Sequence, residues 1–300
     1  MSHDHSHQSG NYNRAFAIGI TLNIAFVVIE AGYGILAESL ALIADAAHNL
    51  SDVVSLLLAL VASVLAKKAA TEKRTYGWRK ATVIASISSA ILLLVALGGI
   101  TWEAIGRFGN PTPIEGATVI VVAAIGVVIN TLTALLFIKG QKDDLNIKGA
   151  FLHMAADAGV SLGVVVAGIF IMLKDLLWID PVISLVIVAI VLVVTWGLLK
   201  DSMNYAMDAV PDSIDIPALK RYLVSFDSVD RIHDLHVWPM STTEIALTVH
   251  LVVNGTKLDN KFIRTLQQHL HDHFGIGHST IQIETSTEEV NCMLDNPTCV

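Results

Sequence analysis

A chain of 300 residues with a mean hydropathy of +0.61 and only 15% charged side chains is not an ordinary water-soluble domain and falls in the membrane class. A formal net charge of -8 argues against general nucleic-acid binding. The two cysteines, Cys292 and Cys299, both lie in the C-terminal tail, which argues against a disulfide framework and for a reducing compartment.

The chain opens Met1-Ser2-His3-Asp4-His5-Ser6-His7, without a basic stretch leading into an apolar one, so no cleavable signal peptide is expected. Residues 1–13 read as a polar tail. The alternation of His3, His5 and His7 fits either a solvated tail or weak metal capture.

Six apolar runs follow, at 15–36, 41–66, 82–105, 117–138, 150–173 and 178–199. Each supplies about the 20 residues that a ~30 Å hydrocarbon core requires. None alternates with a period of two, so six transmembrane helices are expected rather than a barrel. Small residues are common in the runs, which suits close helix packing in lipid. Together the runs define a membrane domain at 14–205.

Lys and Arg distribution sets the orientation. Lys67, Lys68, Lys73, Arg74, Arg79 and Lys80 follow the second run, Lys139, Lys142 and Lys148 follow the fourth, and Lys200 ends the sixth. On the opposite side the first loop carries none, and the exits of the third and fifth runs carry Arg107 and Lys174. Both termini are therefore expected in the cytoplasm.

Beyond Lys200 the composition becomes that of a small soluble α+β domain, 206–288, with a tail at 289–300. Asp215 and Pro217 are good starts for a helix reaching Phe226. Val229–Pro239 and Glu244–Val253 read as strands, Leu258–Phe274 as an amphipathic helix and Ser279–Thr285 as a third strand. The order αββαβ predicts a small sheet with both helices on one face.

Chemistry concentrates where charge is most costly. Ionisable groups inside apolar runs are expensive in lipid and mark sites by default. Glu30 lies in the first run, Asp45, His48 and Asp52 in the second, and His153 and Asp157 in the fifth. In each His-x-x-x-Asp pair both side chains share one helix face. With both termini on one side, the second and fifth helices enter from opposite sides. Asp52 then lies about 20 Å and Asp157 about 16 Å from their helix starts, so the pairs fall at matching depth near the bilayer centre. Two imidazoles and two carboxylates form a complete tetrahedral set for Zn²⁺, with Co²⁺, Ni²⁺ or Cd²⁺ held less comfortably.

Such ligands bind metal only when deprotonated, so metal and protons compete, and histidine titrates in the physiological range. A carrier that exchanges metal for protons follows. The chain has no His-Glu-x-x-His motif and no spare general base beside the pairs, and four filled positions leave no open one, which argues against a metalloenzyme. A metal sensor or a channel using the same site are the alternatives. A tight four-ligand site suits a carrier better than a channel, because conduction needs weak or multiple sites.

These motifs resemble the cation diffusion facilitator family. The resemblance rests on Ser39-Leu-Ala-Leu-Ile-Ala-Asp45-Ala-Ala-His48-x3-Asp52, His153-x3-Asp157, Asp180-Pro181 and His233-Asp-Leu-His-Val-Trp238, and spans about Arg14 to Glu284. It implies six transmembrane helices, a cytoplasmic ferredoxin-like domain, a homodimer, and antiport of divalent metal against protons; the short loop 140–146 adds the expectation of a bacterial cytoplasmic membrane. Histidines in the central site resemble the zinc-selective branch. By the same resemblance His48, Asp52, His153 and Asp157 match the transport ligands. Asp45 matches a position near the pathway. Lys80 and Asp208 match a pair tying the membrane helices to the cytoplasmic domain. His233, His250 and Glu284 match cytoplasmic zinc ligands, with Gln282 where some relatives have histidine; Cys292 or Cys299 would complete such a site. His236 reads as packing beside Trp238, and His269, His271 and His273 as a solvated face, with His278 a weak extra candidate. The loop Thr75-Tyr-Gly-Trp78-Arg-Lys-Ala-Thr82 lacks the histidine or aspartate that many relatives carry, so no loop metal site is expected. The loop 140–146 lacks the histidine-rich insertion of many eukaryotic zinc transporters.

Overall fold

A computed structural model describes residues 9–110, 112–138, 145–174, 176–254 and 260–285. His3, His5, His7, Lys139, Lys142, Cys292, Cys299 and the start of the helix expected from Leu258 lie outside the described residues. Six long helices come first: α1 (Ser9–Leu36), α2 (Leu40–Ala66), α3 (Ala81–Gly109), α4 (Gly116–Phe137), α5 (Leu145–Lys174) and α6 (Ile179–Ala206). Each covers one apolar run to within a residue. Several extend beyond it because the flanking polar residues continue the backbone hydrogen bonding after hydropathy falls. Among the described residues, four spans are long and apolar enough to cross a membrane: Ala81–Gly109, Gly116–Leu136, Phe151–Lys174 and Ile179–Ala206. Large apolar side chains on these helices, such as Val95, Trp102 and Val193, point outward. In water they would form a large sticky surface; in a bilayer they face lipid.

The chain folds into two compact units, one of Met1–Leu57 with Ser88–Leu198 and the other of Leu58–Ile87 with Leu199–Val300. In the first, the core is built from alanine, valine and leucine: Ala41, Leu42 and Ala44 of α2 meet Leu97 of α3, Val119 and Ala123 of α4, Val164 of α5 and Val191 of α6. Close approach of α4 to α5 requires glycine. A Cβ on Gly168 would lie 2.8 Å from Ile120, and one on Gly116 would lie 3.1 Å from the Gly168 carbonyl oxygen. Small residues at a helix contact maximise van der Waals packing where no hydrophobic effect drives association. Intramembrane hydroxyls of Thr101, Thr133, Ser184 and Thr195 donate to the carbonyl four residues back, which satisfies them in lipid.

One carboxylate organises the start of α2. Asp180, at the beginning of α6, accepts from Ser39 Oγ at 2.6 Å, Leu40 N at 2.9 Å and Ala41 N at 3.2 Å. The first amides of a helix have no intrahelical partner, and here a carboxylate from another helix supplies one. Arg107 of α3 stands 3.8 Å from the same carboxylate and donates to the Glu38 carbonyl.

The second unit contains α7 (Ile216–Leu223), β1 (Val229–Pro239), β2 (Ile245–Val253), α8 (Asn260–Phe274) and β3 (Ile276–Thr285), the ferredoxin-like order αββαβ. Asp215 caps α7 by accepting from Ala218 N. The sheet order is β1-β2-β3, with β1 antiparallel and β3 parallel to β2; α8 forms the crossover that a parallel pair needs. Alternate residues Leu247, Val249, Leu251 and Val253 of β2 pack with Leu219 and Leu223 of α7 and Leu266 and Leu270 of α8. His250 therefore lies on the other face. Within this unit Lys80 Nζ donates to Asp208 Oδ1 at 2.5 Å and to the Tyr205 carbonyl at 2.7 Å, and Arg79 pairs with Glu244 at 2.7 Å.

Candidate metal centres

Helices α2 and α5 run antiparallel and meet through three polar rungs. Asp45 Oδ2 accepts from Ser161 Oγ at 3.0 Å. His48 Nε2 lies 3.5 Å from Asp157 Oδ1. Asp52 Oδ2 lies 3.1 Å from His153 Nε2. The spacings 45-48-52 and 153-157-161 are those of single helix faces, which is why the rungs align. Across the rungs, His48 Nε2 is 3.9 Å from Asp52 and His153 Nε2 is 3.7 Å from Asp157 Oδ2, with the two imidazoles edge to face at 6.0 Å between centroids. Ligand atoms of His48, His153 and Asp157 all lie within 4.8 Å of one another. The two His-x-x-x-Asp pairs thus converge with all four side chains.

The constellation is asymmetric. The Asp157 side chain is 4% exposed and that of His48 18%, while Asp52 and His153 are 38% and 43% exposed. The more exposed pair, Asp52 and His153, is the one nearer the α5 N-terminus. Among the described residues Asp157 Oδ2 and His48 Nδ1 are buried without a hydrogen-bond partner, although buried polar atoms are nearly always paired. Such a donor set is suited to a cation.

Beyond Asp157 lies a layer of fully buried carboxyls that do not belong to the four. Asp45 faces Ser161, and Glu30 of α1 accepts from Asn49 Nδ2 at 3.3 Å. Glu30 is visible in the sequence as an intramembrane carboxylate, but its partner is fixed only by helix packing.

A second cluster sits on the C-terminal sheet. His233 and His250 are register partners, and Gln282 is the partner of His250 on β3. Glu284 reaches both histidines: its Oε2 is 2.9 Å from His233 Nε2 and its Oε1 is 2.9 Å from His250 Nδ1. These three residues form the second grouping among the described residues whose ligand atoms lie within 4.8 Å. Burial raises the Glu284 carboxyl, but its contacts with His233 and Gln282 outweigh this and hold it below the usual glutamate range.

Asp234 is a member that sequence reasoning missed. A register shift between His233 and His236 bulges β1, and Asp234 adopts φ 50. Aspartate is one of the few side chains that tolerate this conformation. The bulge brings its carboxylate 3.4 Å from His250 Nε2 and 2.9 Å from His236 Nε2. The signal available in the sequence was an aspartate directly beside His233; the bulge was not legible. His236, expected to pack beside Trp238, is exposed and hydrogen-bonded to Asp234. His269 is also less solvated than expected: its ring stacks between Tyr222, at 4.3 Å, and His273, at 3.9 Å. His271 is exposed beside Asp272, and His278 meets Tyr76 edge to face.

Comparison with known proteins places this geometry in context. Residues 16–205 match the family model described as the cation efflux transmembrane domain, and residues 211–286 match that of the cation efflux protein, cytoplasmic domain. The chain is 38% identical over 284 residues to the metal cation efflux system protein CzcD of Cupriavidus metallidurans, covering 94% of this chain and 89% of that one. It is 36% identical to the cadmium, cobalt and zinc/H(+)-K(+) antiporter of Bacillus subtilis, covering 94% and 92%. It is also 36% identical to the zinc transporter ZitB of Escherichia coli, covering 95% and 93%. Among solved structures, the metal-bound C-terminal domain of the Cupriavidus CzcD transporter matches at 33% identity and a TM-score of 0.22, covering 24% of this chain and 99% of that one.

Proposed function

The chain belongs to the cation efflux family, and from that premise we propose that it exports Zn²⁺ from the cytoplasm in exchange for protons, carried by His48, Asp52, His153 and Asp157. It is an integral, multi-pass membrane transporter of divalent metal cations and not an enzyme. The observation that carries the residue assignment is the convergence of two His-x-x-x-Asp pairs from antiparallel α2 and α5. Two imidazole nitrogens and two carboxylate oxygens match the ligand preference of zinc, and Co²⁺ and Cd²⁺ are accepted by the same donors.

The asymmetry of exposure supports a direction. The Lys and Arg bias puts the α5 N-terminus and both chain ends in the cytoplasm, so the open side through Asp52 and His153 is the side of metal loading. Cytoplasmic metal enters there and is held against buried Asp157. Rocking of the surrounding helices exposes the site to the other face. There a higher proton concentration protonates the imidazoles, because metal and proton compete for the same lone pairs. Protonation expels the metal and recharges the carrier. Acid on the release side therefore drives export.

The test is zinc uptake into proteoliposomes under an imposed pH gradient. Saturable uptake that disappears when an ionophore collapses the gradient is the expected result. Linear uptake indifferent to the gradient would indicate a channel, and binding without flux a sensor.

The C-terminal domain supports a homodimer in the bacterial cytoplasmic membrane. His233, His250 and Glu284 offer two nitrogens and a carboxylate within one ion's reach, with Asp234 adjacent. They fit a zinc ion, whose charge would offset that of Glu284 and Asp234 and bias two domains toward each other. His250→Ala and Glu284→Gln should each remove one zinc equivalent per chain in calorimetric titration of the full-length protein. Stoichiometry unchanged in both variants would assign the cluster to domain packing. The depressed Glu284 carboxyl also has a sign: it stabilises the metal-free domain above the ordinary glutamate range, and that contribution is lost as pH falls through the lowered value.

A further inference from the structure

The rung formed by Asp45 and Ser161 contains no ligand of the site, yet it is the most deeply buried of the three. Both residues have zero exposure. Ser161 lies one turn beyond Asp157 on α5, and Asp45 lies almost one turn before His48 on α2. Two more helices close on this level. Gly126 of α4 approaches so tightly that a Cβ there would be 3.1 Å from Ser161 Oγ and 2.6 Å from Phe26 Cζ of α1. Four helices are thus locked around one hydrogen bond. On its other flank α2 is braced to α1 through Asn49 and Glu30. The opposite end of the ladder, at Asp52 and His153, is the exposed one.

The geometry points to Ser161 as a positioning residue: its hydrogen bond to Asp45 fixes the axial register of α2 against α5 and thereby sets which ion size the four ligands accept. This rests on the assignment of His48, Asp52, His153 and Asp157 as the carrier site. The physical reason lies in the scale of the structure. Metal sites demand ligand distances within about 0.2 Å, whereas a slip of one residue along a helix moves its side chains by about 1.5 Å. Ligands split between two helices therefore need a register lock that is not itself a ligand. Neither the His48–Asp157 rung nor the Asp52–His153 rung can serve, because their atoms must turn toward the metal when it binds. The Asp45–Ser161 rung has no such second duty and lies where packing is tightest. With it the cage is held at the short distances of zinc. Without it α2 and α5 relax apart and the larger Cd²⁺ is accepted with less penalty.

The experiment measures Zn²⁺ and Cd²⁺ dissociation constants on full-length purified protein carrying His250→Ala, so that the C-terminal cluster does not add to the titration. Supporting partners of metal ligands alter affinity by about 10- to 100-fold when removed. Ser161→Ala is expected to weaken zinc by about 10-fold within that range and cadmium by less, so that the preference for zinc falls. Asp45→Asn keeps an oxygen that accepts from Ser161, so it should retain the wild-type preference. A merely destabilising change lowers the folded fraction without altering the ratio of the two constants. A ratio unchanged in Ser161→Ala would overturn the inference. So would an equal loss in Asp45→Asn, which would assign the effect to the Asp45 charge. His153→Ala is measured in parallel: zinc binding that survives it would refute the carrier-site assignment itself, a result distinct from either outcome at Ser161.

Discussion

Asp157→Ala should abolish zinc transport, with uptake falling at least about 100-fold while the protein still assembles in the membrane. The magnitude follows from its place. Loss of residues that merely support a metal ligand costs about 10- to 100-fold in affinity, and Asp157 is proposed as a ligand. It is also the central one: its carboxylate lies 3.5 Å from His48 Nε2 and 3.7 Å from His153 Nε2, and it is the least exposed of the four. Without it the remaining donors are one aspartate at the open edge and two imidazoles, so the ion keeps three ligands and a water and loses the buried carboxylate that closes the carrier site. The direction of the stability effect separates this loss from misfolding. Asp157 Oδ2 has no hydrogen-bond partner among the described residues, so removing the side chain relieves a buried, poorly satisfied carboxylate. Thermal denaturation in detergent, in a His250→Ala background, should show an unchanged or higher midpoint in metal-free buffer, together with weakened stabilisation by added zinc. Uptake within a few-fold of wild type would mean that the two His-x-x-x-Asp pairs serve helix packing.

The four central residues were legible in the sequence because intramembrane charge is rare and the His-x-x-x-Asp spacing repeats. Period and depth together sufficed to bring Asp52 to His153 and His48 to Asp157. The αββαβ order was legible for a similar reason, since strand alternation and the amphipathic period of α8 are local. The contacts that depend on how one helix is rotated against another were not. Asp45 was visible, but its partner Ser161 was one unremarkable serine among many, and nothing local distinguishes a serine that bridges helices from one that bonds its own backbone, as Ser184 does. Asp234 escaped because a bulge changes which side of a strand a residue faces. His269 escaped because its neighbour Tyr222 comes from another helix.

Asp180→Ala should be the most damaging substitution away from either metal centre. The Asp180 carboxylate accepts from a hydroxyl and two backbone amides at the start of α2 and faces Arg107, all within a buried layer. Its removal leaves the buried Leu40 and Ala41 amides without that acceptor, while Leu42 N keeps Ser39 Oγ. Breaking a buried charged network by deleting one partner costs about 3–5 kcal/mol, against a total of about 5–15 kcal/mol for a typical folded domain. At roughly 2–4 °C per kcal/mol for a unit of this size, the denaturation midpoint in detergent should fall by about 10 °C, and the yield of folded protein with it. Asp180→Asn keeps one acceptor oxygen and should lose roughly half as much. The damage should remain local in function. From Leu40 to His48 is about 12 Å of helix, and α2 is held again at Asn49 and Asp45 before the ligands are reached. Molecules that do fold should therefore bind zinc within a few-fold of wild type. A wild-type melting midpoint in Asp180→Ala would show that the cap is dispensable. A normal midpoint with weakened zinc binding would show that α2 is held as one rigid rod, so that its first turn, and not the Asp45–Ser161 rung, determines where His48 and Asp52 stand.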